Sequence, residues 1–421
     1  MQSDCSAGRV ERPGPTFFTP FNPHPTMRAL TDLDLNGKRV LVRVDFNVPL
    51  STNEAGETVV DDDTRIRAAL PTIVHILNAG GTAILVSHLG RPKGEVDPAY
   101  SMAPVGRHLS LLTGLPVVMA PAVVGTDVED IARSVGSGEI LLLENVRFEA
   151  GETKNDPELA AQLASLADVY VNDAFGTAHR AHASTEGIAH HVAEKAPGFL
   201  MQRELDTLGK VVGDPDHPFV AIVGGAKVSD KIGIISQLLE SADHLLIGGA
   251  MAYTFLKARG GATGTSLTED DRLDLARDLM DRAGDRLHLP SDHVCAEAFD
   301  NESPTRTVSG DIPNDWMGLD IGPETVSAYS AVVESARTVV WNGPMGVFEM
   351  SNFANGTNSV AQAVVAATDN GAFTVVGGGD SVAAIVGAGL SDRVSHVSTG
   401  GGAMLELLEG KVLPGVKALG A

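Results

Sequence analysis

The chain has 421 residues, of which 43% are hydrophobic and 46 are glycine, a composition typical of a globular α/β protein with two domains. It carries 54 acidic against 31 basic residues, a formal net charge of -23, so bulk binding to nucleic acid or to an anionic membrane is not expected. The excess of acidic residues and the scarcity of lysine favour a protein adapted to high salt over a merely acidic protein, because at high salt counterions screen the repulsion among the carboxylates.

Cysteine use and the N-terminus bear on location. The two cysteines, Cys5 and Cys295, exclude a disulfide framework and a zinc site built on a cysteine pair, so we expect a reducing cytoplasm. No apolar run has the length needed to span a bilayer. Residues 1–26 are rich in proline and lack the apolar core of a signal peptide. We expect them to form a poorly ordered extension, with Met27 as a candidate start.

After that extension, short apolar strands alternate with helical patterns. The first-half strands read KRVLVRVDF, TAILVSH, EILLLEN and ADVYVND. Between the first two of these runs we predict a helix from Thr64 to Asn78. Its apolar residues recur with the helical period and are Ile66, Leu70, Ile73, Val74 and Leu77.

The segment FLMQRELDTLGKVV, Phe199 to Val212, predicts an amphipathic helix that bridges two domains. The strands after it read PFVAIVG, ADHLLIG, DHVCAEAF, TVVWNG and AFTVVGGG. Among them, TEDDRLDLARDLMDRAG predicts a helix with a capping box of Thr268 and Asp271 and a stop at Gly284. The repeated strand–helix alternation predicts two doubly wound, parallel-sheet α/β domains with a cleft between them.

Polar side chains follow the first-half strands, where ligands bind in sheets of this kind. The exits RVDFNVP, SHLGRP, ENVRF and NDAFGTAHRAHAST supply Asp45, Asn47, His88, Arg91, Arg147, His179, Arg180 and His182. With Arg65 near the start of the first helix, four arginines are expected to form a basic patch. Guanidinium groups match phosphate and carboxylate oxygens in pairs. An anionic substrate is therefore favoured over local pairing with glutamates, and over a metal, because the histidine spacing resembles no known ligand set.

The second-half strand exits are rich in glycine instead: VGGAKVSDK, IGGAMAYTF, WNGPMGVFE, VGGGDSVAA and VSTGGGAMLELLEG. Exposed backbone N–H groups and helix N-termini suit polyphosphate. Lys227 and Lys231 stand four residues apart in a predicted helix start, so their ammonium groups share a face and repel unless an anion lies between them. Asp380 is a candidate Mg²⁺ ligand or a plain helix N-cap. Neither the P-loop nor the dinucleotide fingerprint fits.

Read in order, these motifs resemble the phosphoglycerate kinase family from about Met27 to the end of the chain. They are RVDFNVP, SHLGRP, LLLENVRF, NDAFGTAHRAH, GGAKVSDK, LDIGP, WNGPMGVFE, GGGDS and STGGGAMLELLEGKVLPG. The resemblance implies reversible phosphoryl transfer in glycolysis or gluconeogenesis, 1,3-bisphosphoglycerate + ADP = 3-phosphoglycerate + ATP. It also implies in-line transfer after domain closure, Mg²⁺ carried with the nucleotide, and a cytoplasmic monomer.

The resemblance further implies roles for individual residues. The substrate site would comprise Asp45, Asn47, Arg65, His88, Arg91, Arg147, His179 and Arg180, with His182 beside it. The nucleotide site would comprise Gly225, Ala226, Lys227, Lys231, Asn342, Pro344, Glu349, Gly377, Gly378, Gly379, Asp380 and Ser381. Within it, Glu349 would meet the ribose and Asp380 the metal. The catalytic groups would be Arg65, Lys227, Gly379 and Gly402.

We predict four units after the extension: residues 27–198 bind the acid substrate, 199–212 form the bridging helix, 213–404 bind the nucleotide, and 405–421 return to the first domain. Three other functions remain as alternatives. They are a different two-domain nucleotide-using kinase, a nicotinamide-dependent oxidoreductase, and a solute-binding protein that closes around anions. The missing dinucleotide fingerprint counts against the oxidoreductase. The missing export signal counts against the binding protein.

Overall fold

The structure, a computed structural model, describes residues 27–136 and 138–420. The extension predicted for residues 1–26 lies outside these described residues. Within the described ranges, no helix combines the length and the apolar character that crossing a membrane requires.

The first half folds around a parallel sheet of six strands. Its strands and helices are β1 (Arg39–Arg43), β2 (Leu50–Thr52), β3 (Thr58–Val60), α1 (Thr64–Asn78), β4 (Thr82–Val86), α2 (Ala103–Thr113), β5 (Val117–Met119), α3 (Thr126–Ser134), β6 (Ile140–Leu142), α4 (Pro157–Ser165), β7 (Val169–Asn172) and β8 (Glu194–Pro197). The six-stranded sheet has the order β5-β6-β4-β1-β7-β8, and β2 and β3 form a separate hairpin. Along β1, Val40 and Val42 are buried on one face and Leu41 on the other, as expected for a sheet covered on both sides.

The bridging helix and a second six-stranded parallel sheet follow. The elements are α5 (Phe199–Gly213), β9 (Phe219–Val223), α6 (Ile232–Ser241), β10 (His244–Ile247), α7 (Met251–Ala258), α8 (Leu273–Ala283), β11 (Leu287–His288), β12 (Asp292–Ala296), β13 (Thr305–Ser309), β14 (Met317–Ile321), α9 (Pro323–Glu334), β15 (Thr338–Asn342), α10 (Asn355–Asp369), β16 (Phe373–Gly377), α11 (Gly379–Gly387), β17 (His396–Val397), α12 (Gly402–Leu408) and α13 (Pro414–Lys417). This sheet has the order β11-β10-β9-β15-β16-β17.

The run DHVCAEAF forms β12, but its place in the second parallel sheet was predicted wrongly. β12 pairs antiparallel with β13 and β14 in a separate three-stranded sheet. A short apolar run predicts a strand, and its periodicity carries no information about which strand will pair with it.

The two helices predicted with exact bounds match the structure closely. α1 spans the predicted Thr64–Asn78, although Val74, assigned to its apolar face, is 43% exposed. α5 ends one residue beyond the predicted Val212. Its buried face, including Leu205 and Leu208, packs in the apolar cluster beneath the second sheet.

The predicted capping box of Thr268 and Asp271 does not form. A short 3-10 turn occupies residues 270–272, α8 begins at Leu273, and the Thr268 hydroxyl donates to Asp270 Oδ1 at 3.0 Å. The predicted stop at Gly284 is confirmed, because this residue ends α8 with a φ of 56°. That φ lies in the left-handed region where glycine is favoured.

The C-terminal residues contact both halves of the chain. α12 packs on α5 and α6, and the Gly415 N–H donates to the Ala178 carbonyl at 2.9 Å. Ala418 and Leu419 are buried in an apolar cluster of the first sheet. Phe175, from the first half, is buried in the same cluster as α12. The C-terminal residues therefore link the two halves of the chain.

Candidate active site

Two cavities lie where strands of the two sheets end. We call the first the arginine cavity; its volume is about 280 Å³, and it is lined by Asp45, Asn47, Arg65, His88, Gly90, Arg91, Arg147, Gly176, Thr177, His179, Arg180, Thr399, Gly400, Gly401 and Gly402. We call the second the glycine cavity; its volume is about 490 Å³, and it is lined by Gly225, Ala226, Gly249, Ala250, Thr265, Leu267, Phe299, Met317, Gly318, Leu319, Pro344, Gly346, Val347, Glu349 and Asp380.

The arginine cavity brings together all eight residues predicted for the acid-substrate site. They come from the exits of β1, β4, β6 and β7 and from the start of α1. Gly402, predicted as a catalytic group, also lines it. Sequence reasoning missed Gly176 and Thr177, although they stand inside the motif NDAFGTAH. It also missed Thr399 to Gly401, since nothing local shows that this glycine turn reaches the other half.

Hydrogen bonds hold three of the arginines in place. Arg65 Nη1 donates to Asp45 Oδ2 and to the Asn47 carbonyl, both at 3.1 Å. Arg147 Nη1 donates to the Gly90 carbonyl at 2.6 Å. Arg180 Nε donates to His179 Nε2 at 3.0 Å. Fixed guanidinium groups lose little freedom when they bind an anion, so the cavity is organised before a ligand arrives.

The positive charge of the cavity belongs to its arginines. Burial lowers the pKa of His88 well below 6.5, and Arg43, Arg147, Arg65 and Arg180 lower it further, so the imidazole is neutral near pH 7. Burial and the neighbouring Arg180 likewise lower the pKa of Arg147. Within the described chain, the buried Arg147 Nε has no hydrogen-bond partner. An anionic ligand would relieve this crowding of like charges.

His182, expected beside the site, lies next to it. Its Nδ1 is 3.6 Å from Oε1 of the buried Glu152, and it lines a neighbouring cavity of about 570 Å³. That cavity shares Arg91, Arg147 and Arg180 with the arginine cavity.

The glycine cavity includes five residues predicted for the nucleotide site: Gly225, Ala226, Pro344, Glu349 and Asp380. The other walls are mostly apolar and were missed. Among them are Leu267 and Phe299, which are 54% and 63% exposed. Apolar side chains beside exposed backbone groups suit a ligand that combines a flat ring with phosphate groups. Leu267 and Phe299 come from segments with no local motif, so the sequence gives no signal for them.

Several other predicted nucleotide residues lie behind the cavity and join strand exits. The Lys231 ammonium donates to Asn342 Oδ1, and Asn342 Nδ2 donates to the Gly377 carbonyl at 3.0 Å. Ser381 Oγ accepts from the Gly343 N–H at 2.8 Å and donates to the Gly377 carbonyl at 2.7 Å. These bonds fix the ends of β15 and β16 relative to each other.

The remaining predicted residues stand at the start of α11 and in the loop after β9. Gly378 has a φ of 88°, Gly379 begins α11, and Asp380 lies in its first turn. Lys227 is exposed, whereas burial lowers the pKa of Lys231 despite the opposing charges of Asp380 and Asp230.

The prediction that Lys227 and Lys231 share a helix face is wrong. α6 begins only at Ile232, and the Lys231 N–H donates to the Val228 carbonyl at 2.9 Å, which closes a turn. Lys231 therefore points to Asn342, and Lys227 belongs to a separate exposed loop. The hypothesis that phosphate is held between two lysines of one helix face has no support in this geometry.

The family model for phosphoglycerate kinase matches residues 30–411. The chain belongs to the phosphoglycerate kinase family. It is 58% identical to the phosphoglycerate kinase of Salinibacter ruber over 390 residues, which cover 93% of this chain and 98% of that protein. It is also 58% identical to that of Moorella thermoacetica over 394 residues, with the same coverage.

A solved structure has the same fold. The phosphoglycerate kinase of Coxiella burnetii superposes with a TM-score of 0.84 at 40% identity, covering 94% of this chain and 99% of that one. The prediction of two doubly wound α/β domains is thus confirmed. As a member of the phosphoglycerate kinase family, the chain is a kinase. It catalyses the reversible transfer of a phosphoryl group from 1,3-bisphosphoglycerate to ADP, which yields 3-phosphoglycerate and ATP.

Phosphoglycerate kinases use nucleotides together with Mg²⁺, and the residues of this chain fit that use. Among the described residues no group of three or more histidine, cysteine or acidic side chains is placed to hold a metal. A Mg²⁺ ion that arrives on nucleotide phosphates needs only one or two protein carboxylates. Asp380 is a carboxylate that lines the glycine cavity and lies in the first turn of α11.

Proposed function

We propose that the arginine cavity binds 3-phosphoglycerate or 1,3-bisphosphoglycerate, that the glycine cavity binds the Mg²⁺ nucleotide, and that transfer is in line after the two halves close. The observation that carries the proposal is the contrast between the cavities. One is lined by four arginines, and the other by glycine turns and apolar walls. Residues 27–198 then form the acid-substrate domain and residues 213–404 the nucleotide domain, joined by 199–212, with 405–421 returning to the first.

In the acid-substrate half, the arginines bind phosphate and carboxylate oxygens in pairs. Asp45 and Asn47 hold Arg65 in place for this task. In the direction of ATP use the nucleophile is the carboxylate of 3-phosphoglycerate, which is already ionised near pH 7. No general base is needed, so the buried His88 requires no such role, and its Nδ1 lies 3.2 Å from Arg43 Nη2.

In the nucleotide half, Glu349 binds the ribose hydroxyls, and the N–H groups around Gly225 and Gly377 to Gly379 bind the phosphates. Asp380 holds the Mg²⁺ ion, which neutralises charge on the phosphates when bound. The apolar wall of Leu267 and Phe299 receives the base. Lys231, Asn342 and Ser381 keep the strand exits in register beneath the nucleotide.

Transfer requires alignment and positive charge on the oxygens of the moving phosphoryl group. Lys227, Arg65 and the N–H groups of Gly379 and Gly402 supply that charge. Removing one such donor costs about 3–4 kcal/mol of transition-state stabilisation. Lys227→Ala should therefore lower kcat by orders of magnitude.

A binding experiment tests the assignment of the two cavities. Isothermal titration calorimetry on Arg180→Gln should show weak binding of 3-phosphoglycerate and unchanged binding of Mg²⁺-ADP. Asp380→Asn should show the reverse pattern. If either variant loses binding of the wrong ligand, or if each variant weakens the binding of both ligands equally, the assignment is wrong.

Cytoplasmic location, a monomeric state and salt adaptation stay predictions.

A further inference from the structure

Glu269 holds the loop that carries Lys227. Its Oε2 accepts the Ser229 N–H at 3.1 Å and its Oε1 accepts the Ser229 hydroxyl at 2.5 Å. A carboxylate that accepts two donors from one residue fixes both the position and the orientation of that residue. The turn from Lys227 to Ser229 is thus held from a segment 40 residues later in the chain.

The segment that ends at Glu269 also forms part of the glycine cavity. Thr265 and Leu267 line that cavity directly. Glu269 is anchored in turn, because its own N–H donates to Oγ1 of the buried Thr254 at 3.0 Å. Thr254 belongs to α7, whose first residue, Met251, donates its N–H to the Gly225 carbonyl at 3.0 Å. The loop is held at Gly225 and at Ser229 by the same local framework.

The charges agree with this arrangement. Burial raises the pKa of Glu269, but the Ser229 hydroxyl, the N–H groups of Ser229 and Val228 and the Lys227 charge together lower it below its ordinary value. Glu269 is therefore ionised at neutral pH and lies within electrostatic reach of the Lys227 ammonium group.

We propose that Glu269 is a positioning residue for Lys227: it holds the turn through Ser229 and so keeps Lys227 beside Ala226, which lines the glycine cavity. The inference rests on the proposed role of Lys227 in transfer. A nucleotide that packs on Leu267 and Thr265 contacts the segment that holds Lys227. Binding of a nucleotide in the glycine cavity and the position of Lys227 are thereby linked. The link does not require Glu269 to contact either substrate.

The test compares Glu269→Gln with Glu334→Gln, an exposed glutamate at the end of α9. Misplacing a catalytic group by about 1 Å costs up to about 100-fold in rate, so we expect kcat to fall about 10- to 100-fold in Glu269→Gln. The KM for 3-phosphoglycerate should stay within about twofold, because the arginine cavity is untouched. Ser229→Ala should shift kcat in the same direction, and Glu334→Gln should not change it.

A double-mutant cycle separates positioning from general structural damage. If Glu269 acts through Lys227, then Glu269→Gln should have little further effect in a Lys227→Ala background. An equal additional loss there would overturn the inference, as would a near-normal kcat for Glu269→Gln in the wild-type background. Near-normal kcat in Lys227→Ala alone would instead refute the proposed role of Lys227. Thermal midpoints of all variants, compared with the wild type, identify any variant that fails to fold.

Discussion

Glu204 on the bridging helix accepts a hydrogen bond from His396 Nε2 at 2.9 Å, although the two residues are 192 positions apart. Its other carboxylate oxygen accepts the N–H and the hydroxyl of Thr399, at 2.8 and 3.0 Å. Both Glu204 and His396 are buried, and Thr399 lines the arginine cavity. The bridging helix, β17 and one wall of the candidate active site are therefore fixed to one another.

Removing the Glu204 carboxylate should destabilise the protein. Leaving a buried hydrogen-bond donor without its acceptor costs about 1–3 kcal/mol, and Glu204 accepts from both His396 and Thr399. We expect a loss of that order in the free energy of unfolding for Glu204→Ala, measured by urea denaturation. Glu194→Ala, which removes an exposed partner of Arg28, should cost about 1 kcal/mol or less. Equal losses in the two variants would contradict this account of Glu204.

Arg65 and Arg67 offer a matched pair on α1. Arg65 pairs with Asp45 and lines the arginine cavity, whereas Arg67 pairs with Asp63 on the exposed surface. Removing one such charge-stabilising donor costs about 3–4 kcal/mol, so Arg65→Gln should lower kcat/KM for 3-phosphoglycerate about 100- to 1000-fold. Arg67→Gln should leave it unchanged. Steady-state kinetics at saturating Mg²⁺-ATP would check both, and a similar loss in the two variants would refute the role of Arg65.

Asp320 should make stability depend on pH. Burial raises its pKa from 3.8 to about 7, although the N–H groups of Gly356 and Ile321 donate to it. The folded state favours the neutral carboxyl of Asp320. Its contribution to the free energy of unfolding is fully present below the pKa of the unfolded state, and it is lost as the pH rises through the pKa of the folded state. Relative to Asp320→Asn, the free energy of unfolding of the wild type should fall by about 1.4 kcal/mol for each unit by which the folded-state pKa exceeds the unfolded-state pKa.

Urea unfolding at about pH 5 and about pH 8, on either side of the folded pKa, gives the required comparison. The control is Asp315→Asn, which replaces an exposed aspartate nearby in the sequence. If the difference in free energy of unfolding between the wild type and Asp320→Asn is the same at both pH values, Asp320 is ionised in the folded protein at both, and this account of Asp320 is wrong.

Local sequence patterns predicted the features that depend on local structure. The bounds of α1 and the extent of α5 followed from the period of apolar side chains. Seven of the eight predicted residues of the arginine cavity, all except Arg65 on α1, followed from a single rule: the carboxyl ends of parallel strands meet at one edge of the sheet. This rule is sufficient because each of the exits that carry those residues follows a strand that was recognised correctly.

The features that were missed depend on contacts distant in sequence. The loop of Lys227 is held by Glu269, and nothing in VGGAKVSDK reveals that clasp. The run at β12 pairs with strands that follow it rather than with the parallel sheet, and its own residues carry no information about that choice. The apolar wall of Leu267 and Phe299 likewise forms only when separate segments meet.

The net charge of -23 predicts a stability that rises with salt. At about 1 M salt the screening length falls to about 3 Å, which weakens repulsion among the excess carboxylates. The thermal midpoint should therefore be higher in about 1 M KCl than in dilute buffer. A control in sucrose separates screening from general exclusion of cosolvent. A midpoint that is equal or lower in KCl would contradict adaptation to high salt.

The most direct test of the account is turnover of ATP and 3-phosphoglycerate, coupled to glyceraldehyde-3-phosphate dehydrogenase and followed as loss of NADH. The assay would omit 3-phosphoglycerate, ATP or Mg²⁺ one at a time, with the coupling enzyme shown to be in excess. We predict turnover only when all three are present, and a kcat/KM that is about 100-fold or more below the wild-type value in both Arg65→Gln and Lys227→Ala. Turnover that persists without Mg²⁺, or that stays at the wild-type rate in both variants, would contradict the assignment of the two cavities and of the residues between them.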